Sequence, residues 1–327
     1  MKQKAILLTG GCGYIGSHLI GLINTKKTKV VCIDNISNKS FERLQLFSNV
    51  DYYKNSISDK KTINEIFKKY SIDDVYHFAA FKNPHESNIN HDKYIKNNLY
   101  NSITLLKSLV DKNIKNFIFS SSASVYGIQN YASLCNETMP SKPISIYGLS
   151  KSIFEQYLIQ LSNMYNFRYG ILRYFNVVGK NKKFKIKKKF NSSNSLFDNC
   201  SKSILNNKKI LKVYGNDFNT KDGTAIRDYI HVCDLVKIHT LTMNYLNKKK
   251  TNLILNCGYG KGFSVLEVVK KFEEIYKRKI NLKFVKRNMA DPEKSIADIN
   301  KMTKILKFNP IYDDLNLLIK SHMSFFE

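Results

Sequence analysis

Residues 5–18 read AILLTGGCGYIGSH, and the order apolar run, glycine turn, apolar helix decides the fold. Ala5 to Thr9 reads as a strand, and Gly13 to Asn24 as the helix it feeds. Gly10, Gly13 and Gly16 fall where one gives way to the other. Each removes a Cβ that would block approach, so bare amides and the positive helix end can face a pyrophosphate. A glycine triplet alone is weak evidence; a strand before it and a helix after it supply the context that makes it a dinucleotide site. Asp34 ends the next strand about 20 residues on, where a carboxylate accepts both ribose hydroxyls and repels a 2′-phosphate. NAD is therefore favoured over NADP. An Asx-turn between Asp34 and Asn35 is the competing reading.

Working outward, short apolar runs alternate with helical patterns, as in βαβ units around a parallel sheet. Val30 to Ile33, Val50 to Lys54, Val75 to Phe78, Phe117 to Ser120 and Tyr169 to Leu172 read as strands. Ile95, Leu99, Ile103, Leu106 and Val110 repeat at helical spacing, as do Ile146, Leu149, Ile153, Tyr157 and Leu161. The second series is expected to face a core. After Asn176 the rhythm loosens. The expected fold is α/β: a Rossmann-like doubly wound parallel sheet over residues 1–176, then a smaller mixed α/β substrate domain over 177–327, some of whose elements return to the first.

Composition narrows the class. With 327 residues, 43% of them hydrophobic, the chain can bury a large core. The run Ala5 to Leu8 is far too short to cross a membrane, and Met1 to Lys4 leads straight into a strand rather than a signal peptide. A cytoplasmic protein without membrane attachment is expected. Six Cys without a Cys-x-x-Cys pair and seven His without ligand spacing predict free thiols and no metal. The net charge of +27 raises nucleic acid as a partner, but only six of the 53 basic residues are Arg. Solvated Lys on helix faces is the preferred reading, and nucleic-acid binding is not expected. The dense run Lys180 to Lys189 reads as an exposed loop that could attract an anion.

Two further segments carry chemistry. Tyr147 and Lys151 are four residues apart, which puts a phenol and an ammonium on one helical face. A phenol made acidic by a cation can act as a base near neutral pH; the plain alternative is a surface helix. Ser120-Ser121-Ser122 ends a strand, and in a parallel sheet strand carboxyl ends line the ligand crevice. Ser122 could bond a substrate oxygen, or merely cap the turn. With Tyr147 and Lys151 it completes an acid/base set for oxidising an alcohol.

Thr9 to His18 (TGGCGYIGSH), Phe117 to Gly127 (FIFSSSASVYG), Tyr147 to Lys151 (YGLSK), Leu172 to Gly179 (LRYFNVVG) and Asp222 to Val232 (DGTAIRDYIHV) resemble the extended short-chain dehydrogenase/reductases, and among them the UDP-galactose 4-epimerases. The resemblance covers nearly the whole chain. It implies NAD as cofactor, a UDP-sugar as substrate and a homodimer through helices 95–110 and 146–161. It makes Ser122, Tyr147 and Lys151 catalytic. Around the dinucleotide it places Gly10, Gly13, Tyr14, Ile15, Gly16, Asp34, Asn35, Ser56, Ile57, Phe78, Ala79, Lys82, Asn97, Tyr147, Lys151 and Tyr174. Around the UDP-sugar it places Lys82, Ser122, Tyr147, Asn176, Ser195, Leu196, Arg227, Arg287, Asp291 and Ser295, with Arg227 and Asn176 gripping the diphosphate.

The chain also departs from that family. Asn288 stands where a second phosphate-binding Arg is usual, so either Arg287 serves or diphosphate affinity falls. A carboxylate common near the adenine falls at Ser56, and an Asn near the substrate falls at Ser195. Ser295 replaces the large Tyr of hexose-restricted members, which leaves room for an N-acetyl group. Nucleotide-sugar 4,6-dehydratases share the fold, but they carry Thr-Asp-Glu where this chain has Ser122, Ala123 and Ser124. A catalytically idle protein that senses NAD or binds nucleic acid is the reading from another class.

Overall fold

The computed structural model describes residues 2–23, 28–35, 47–128, 134–181, 195–206, 208–287 and 291–326. The end of the first helix at Asn24, most of the basic run and Asn288 lie outside the described residues.

In chain order the strands are β1 (Gln3–Thr9), β2 (Lys29–Asp34), β3 (Val50–Lys54), β4 (Tyr70–His77), β5 (Asn116–Ser122), β6 (Arg168–Tyr174), β7 (Asn176–Val178), β8 (Leu211–Tyr214), β9 (Ile226–His231), β10 (Leu253–Cys257), β11 (Gly262–Ser264), β12 (Leu282–Val285) and β13 (Lys294–Ser295). The longer helices are α1 (Tyr14–Leu22), α2 (Lys60–Lys69), α3 (Asn101–Val110), α4 (Ile146–Tyr165), α5 (Leu196–Leu205), α6 (Val232–Lys249), α7 (Val265–Tyr276) and α8 (Leu315–Met323).

Seven strands form one sheet in the order β10-β6-β5-β4-β1-β2-β3. β1 pairs in parallel with both β2 and β4, so the winding reverses between β1 and β4. In such sheets the ligand crevice opens outside the carboxyl ends at that reversal. The strands carry continuous apolar runs because both faces are covered: Leu7, Val31, Ile33, Phe117 and Phe119 are buried with Leu105, Leu109 and Phe154. β4 begins at Tyr70, five residues ahead of the expected Val75, since Ser71, Asp73 and Asp74 hide its start from a hydropathy reading.

The chain divides into two compact units. Unit 1 holds residues 1–127, 140–173 and 236–255; unit 2 holds 128–139, 174–235 and 256–327. Most of α6 returns to unit 1, and residues 128–139 belong to unit 2. Unit 2 contains a mixed sheet, in which β9 is flanked by antiparallel β11 and by parallel β13 and β7, and a parallel β8–β12 pair. Its α7 starts with a reciprocal capping box between Ser264 and Glu267.

α4 corrects the expected packing. Its apolar series faces the core only in part: Tyr157 and Leu161 are half-buried and pack against it, Ile146 is half-buried, and Leu149 and Ile153 are exposed. The buried face is Tyr147, Ser150, Lys151, Phe154, Glu155, Leu158 and Ser162. Polar burial of this kind requires partners, and they are found in the site.

Candidate active site

β1 delivers Thr9 to the glycine turn, and Gly10 takes φ +72°. A Cβ on Gly10 would lie 2.6 Å from the Ala79 amide nitrogen at the end of β4, so the two strand ends approach as only glycine permits. A Cβ on Gly16 would strike the Gly10 carbonyl oxygen. Gly13 is the N-cap of α1 and offers no side-chain cap, and no acidic residue stands in the first turn. The turn thus leaves helix-start amides and the positive helix end for an anion. Tyr14, Ile15 and Gly13 are half-buried around it, and the Lys82 ammonium stands 5.9 Å over the Tyr14 ring.

Asp34 closes β2 with its side chain buried, and its Oδ2 accepts the Cys12 amide at 3.0 Å. The carboxylate is therefore tied to the glycine turn rather than spent only on its own turn. Asn35 beside it is exposed, Ser56 bonds Ser58 in the turn after β3, and Ile57 enters the core. The cradle cut by Gly10 and Gly16 together with Asp34 fits a dinucleotide.

A buried chain of bonds secures this turn. Thr9 Oγ1 meets His77 Nδ1 at 2.7 Å, and His77 Nε2 meets Ser102 Oγ at 2.9 Å. Burial first, and then the Lys151 charge, hold His77 neutral, with its pKa pushed down to about 3. Asn98 is buried and clamps Phe81 through both its amide groups at 2.9 Å. Its neighbour Asn97 is half-buried and bonds Asn98. Both lie on a π-helical stretch, Ile95–Tyr100, which periodicity does not reveal. Phe78 and Ala79 are half-buried, the Phe78 ring against His239, and Tyr174 is buried at the end of β6.

The acid/base candidates meet where α4 begins beside the end of β5. Ser145 caps α4 by accepting the Gly148 amide, while Ser87 and Asn88 accept the Tyr147 and Ile146 amides. A Cβ on Gly148 would stand 2.5 Å from the Ser124 carbonyl oxygen, so glycine lets the helix start close on the strand end. Ser122 caps that turn, its Oγ accepting the Ser124 amide at 3.2 Å and donating to the Ser124 hydroxyl at 3.1 Å, and its hydroxyl stands near enough to the Tyr147 phenol to favour the phenolate. The capping reading of Ser122 is thus realised. Lys151 Nζ donates to the Ser120 carbonyl at 2.7 Å, 4.7 Å over the Phe119 ring and 5.9 Å over the Tyr147 ring.

Burial pushes the Tyr147 phenol up, and the nearby Ser122 hydroxyl opposes it. Burial pulls Lys151 down to about 7, against the opposing Glu155 charge. The cation expected to acidify Tyr147 is thus itself drawn toward its neutral form by burial, and it donates to a backbone carbonyl.

Glu155, Ser121 and Arg173 are the residues missed. Glu155 accepts the Ser121 hydroxyl and pairs with Arg173 at 2.7 Å, wholly buried. The available signal was the four-residue spacing that continues Tyr147, Lys151 to Glu155.

Unit 2 holds the other candidates. Arg227 on β9 is half-buried and is steered by the Ile226 and Glu293 carbonyls at 2.9 and 3.3 Å. Burial pulls its pKa down while Asp291 opposes, yet a guanidinium keeps its charge. Asn176 on β7 is exposed and donates to the Asp228 carbonyl at 3.3 Å. Ser295 on β13 is the register partner of Arg227. Ser195 is the exposed N-cap of α5, and Leu196 opens that helix half-buried. Arg287 pairs with Asp217 at 3.3 Å and stacks 5.0 Å over Phe218.

Fold and site define a class, the dinucleotide-binding α/β proteins with a Ser–Tyr–Lys set at the strand ends. Residues 6–258 match the family described as NAD dependent epimerase/dehydratase, and the chain belongs to that family. It is 33% identical over 319 residues to a UDP-glucose 4-epimerase of Azospirillum brasilense, across 98% of this chain and 91% of the relative. The crystal structure of a UDP-glucose 4-epimerase from Stenotrophomonas maltophila with bound NAD and formylated UDP-arabinopyranose superposes with a TM-score of 0.90 at 30% identity, covering 99% and 98% of the two chains. The UDP-Glc/GlcNAc 4-epimerase of Campylobacter jejuni gives 0.84 at 32% identity, covering 98% of each.

Proposed function

We propose that this protein is an NAD-dependent UDP-hexose 4-epimerase that interconverts UDP-galactose and UDP-glucose. The observation that carries the reading is that Ser122, Tyr147 and Lys151 are gathered at the carboxyl end of β5, with Lys151 bonded to the Ser120 carbonyl and its ammonium 5.9 Å over the Tyr147 ring, in the unit that bears the dinucleotide cradle. Bound NAD supplies the hydride acceptor and donor for C4 of the sugar. Gly10, Gly13 and Gly16 admit its pyrophosphate and Asp34 its ribose, while Lys82 and Asn97 flank it. Tyr147, as phenolate, takes the O4 proton and later returns it; Ser122 holds O4, and Lys151 stabilises the phenolate. Arg227 offers a fork to the diphosphate with Asn176, Ser195 and Leu196, and Arg287 and Asp291 stand close to that role. Holding the UDP firmly and the sugar loosely lets a 4-keto sugar turn over before hydride returns to its other face.

Ser295 beside Arg227 leaves space for an N-acetyl group, so UDP-N-acetylgalactosamine is a second substrate. A second copy of the chain covers Leu149, Ile153 and Tyr100, an exposed apolar strip of unit 1, and makes a homodimer. The enzyme works in the cytoplasm; among the described residues no helix is long and apolar enough to cross a membrane. Incubation with UDP-galactose and with UDP-N-acetylgalactosamine, with and without NAD, tests the reading by proton NMR of the C4 epimers. Conversion of both supports it. Conversion of UDP-galactose alone rejects the role of Ser295, and conversion of neither rejects the function.

A further inference from the structure

The buried stripe of α4 continues past the residues given a role above. Tyr147, Lys151 and Glu155 are spaced by four; Lys151 holds the Ser120 carbonyl and Glu155 the Ser121 hydroxyl of the strand end, and the Lys151 ammonium stands 5.9 Å over the Tyr147 ring. Glu155 is fixed from behind by Arg173 on β6, whose Nε reaches both carboxylate oxygens at 3.1 and 3.2 Å and whose second terminal nitrogen reaches Oε2 at 2.7 Å. The remaining arm of the fork bonds the Tyr126 hydroxyl at 3.0 Å, with the guanidinium 5.0 Å over that ring.

Such a pair gives little net stability over an apolar one of the same shape, because desolvating two charges offsets their attraction. Its retention under the reaction centre therefore calls for another account. We propose that Glu155 and Arg173 are a positioning pair for the Tyr147/Lys151 couple, locking the Ser120–Ser122 strand end onto α4 and keeping the charge beside Lys151 balanced. The inference rests on the reading of Tyr147 and Lys151 as the acid/base set.

The groups facing Lys151 are few and identifiable. Tyr147 and Glu155 come from its own helix, the Ser120 carbonyl and the Phe119 ring from β5, neutral His77 from β4, and Arg173 from β6 behind Glu155. Glu155 favours the ammonium form of Lys151, and Arg173 cancels that carboxylate toward the rest of the couple. Removing one member leaves an uncompensated charge next to the couple, and its sign decides the direction in which both titrations move.

The test is the pH profile of kcat/KM for UDP-galactose with the NAD-loaded enzyme. Glu155→Gln keeps the Ser121 contact but leaves the guanidinium unpaired, so both limbs of the profile should move to lower pH by about one unit. Arg173→Gln leaves the carboxylate unpaired, and both limbs should move to higher pH. The double variant Glu155→Gln/Arg173→Gln carries no orphan charge. It should fold even where a single variant does not, and bring the limbs back to those of the parent while kcat stays below it. Arg173→Lys keeps the charge and loses the fork, so it should keep the parent limbs at a lower kcat. Limbs that stay in place in both single variants, or that move the same way, would overturn the proposal and leave a pair that only packs. If instead the double variant is the only one to fold, limbs displaced from the parent's would overturn it. Undiminished turnover in Tyr147→Phe would show separately that the underlying acid/base reading is wrong.

Discussion

The two units present their polar groups in opposite ways. In unit 1 the candidate reaction centre is buried and tied down by buried partners: Lys151 bonds a β5 carbonyl, Glu155 bonds Ser121 and Arg173, and His77 bonds Thr9 and Ser102. In unit 2 Arg227 and Asn176 are steered by backbone carbonyls, two for Arg227 and one for Asn176, and Asn176 and Ser195 are exposed. Mutually bonded buried groups cannot shift one at a time without orphaning a partner. Exposed donors on backbone anchors can. Under the proposed function, unit 1 holds a fixed chemical centre and unit 2 an adaptable grip, and Ser195 and Ser295, two of the departures from the family pattern, lie in unit 2.

Four substitutions or conditions would break or sharpen that contrast. The largest effect is expected in the fixed centre, where Tyr147→Phe should lower kcat by about 10²- to 10⁴-fold while bound NAD, measured after release by denaturation, stays at the parent's level. In the adaptable grip, Arg227→Lys removes a fork but not a charge. The KM for UDP-galactose should rise about 10- to 100-fold with kcat nearly unchanged, and a matching fall in kcat would place Arg227 in the fixed centre instead. Ser295→Tyr should cost UDP-N-acetylgalactosamine turnover about tenfold or more relative to UDP-galactose turnover; equal losses would remove the size argument.

The smallest effect is on stability, and its sign differs between the units. His77 titrates at about 3 in the folded state against about 6.5 unfolded. Its stabilisation of unit 1 is thus complete above pH about 6.5 and drains as pH falls toward 3, by at most about 1.4 kcal/mol per pH unit. Asp228 in unit 2 runs the other way. Burial holds its carboxyl up at about 6 in spite of three backbone amides that donate to it. Its contribution is complete below the unfolded value of about 3.9 and is lost as pH rises through 6. Native-state hydrogen exchange at pH 7 and pH 4.5 should show protection falling in β1 and β4 relative to β9; a uniform change would remove the contrast.

The sequence made the dinucleotide half of this molecule legible because glycine and chain reversal are local. Gly10 and Gly13 mark a turn whose strand and helix lie within a few residues of them, and Asp34 follows at a fixed reach. The burial of α4 was misread for a physical reason. Hydropathy assigns Leu149 and Ile153 to the core, whereas the helix buries Tyr147, Lys151 and Glu155, each offset by a partner far away in the chain such as Ser120 or Arg173. Pairing of that kind leaves no trace in hydropathy, only the four-residue spacing of the polar residues themselves. Arg287 illustrates the other limit: one shifted Arg in a motif suggests a phosphate ligand, but its contacts to Asp217 and Phe218 depend on a loop some 70 residues earlier.

The central claim is that hydride leaves C4 of the sugar and returns to the same carbon on the other face. UDP-galactose deuterated at C4 tests it directly, with the product followed by NMR in ordinary water. The account predicts UDP-glucose that retains the deuterium at C4. Product that has exchanged the label for solvent hydrogen would contradict it, since the epimer would then have formed by loss and regain of a proton.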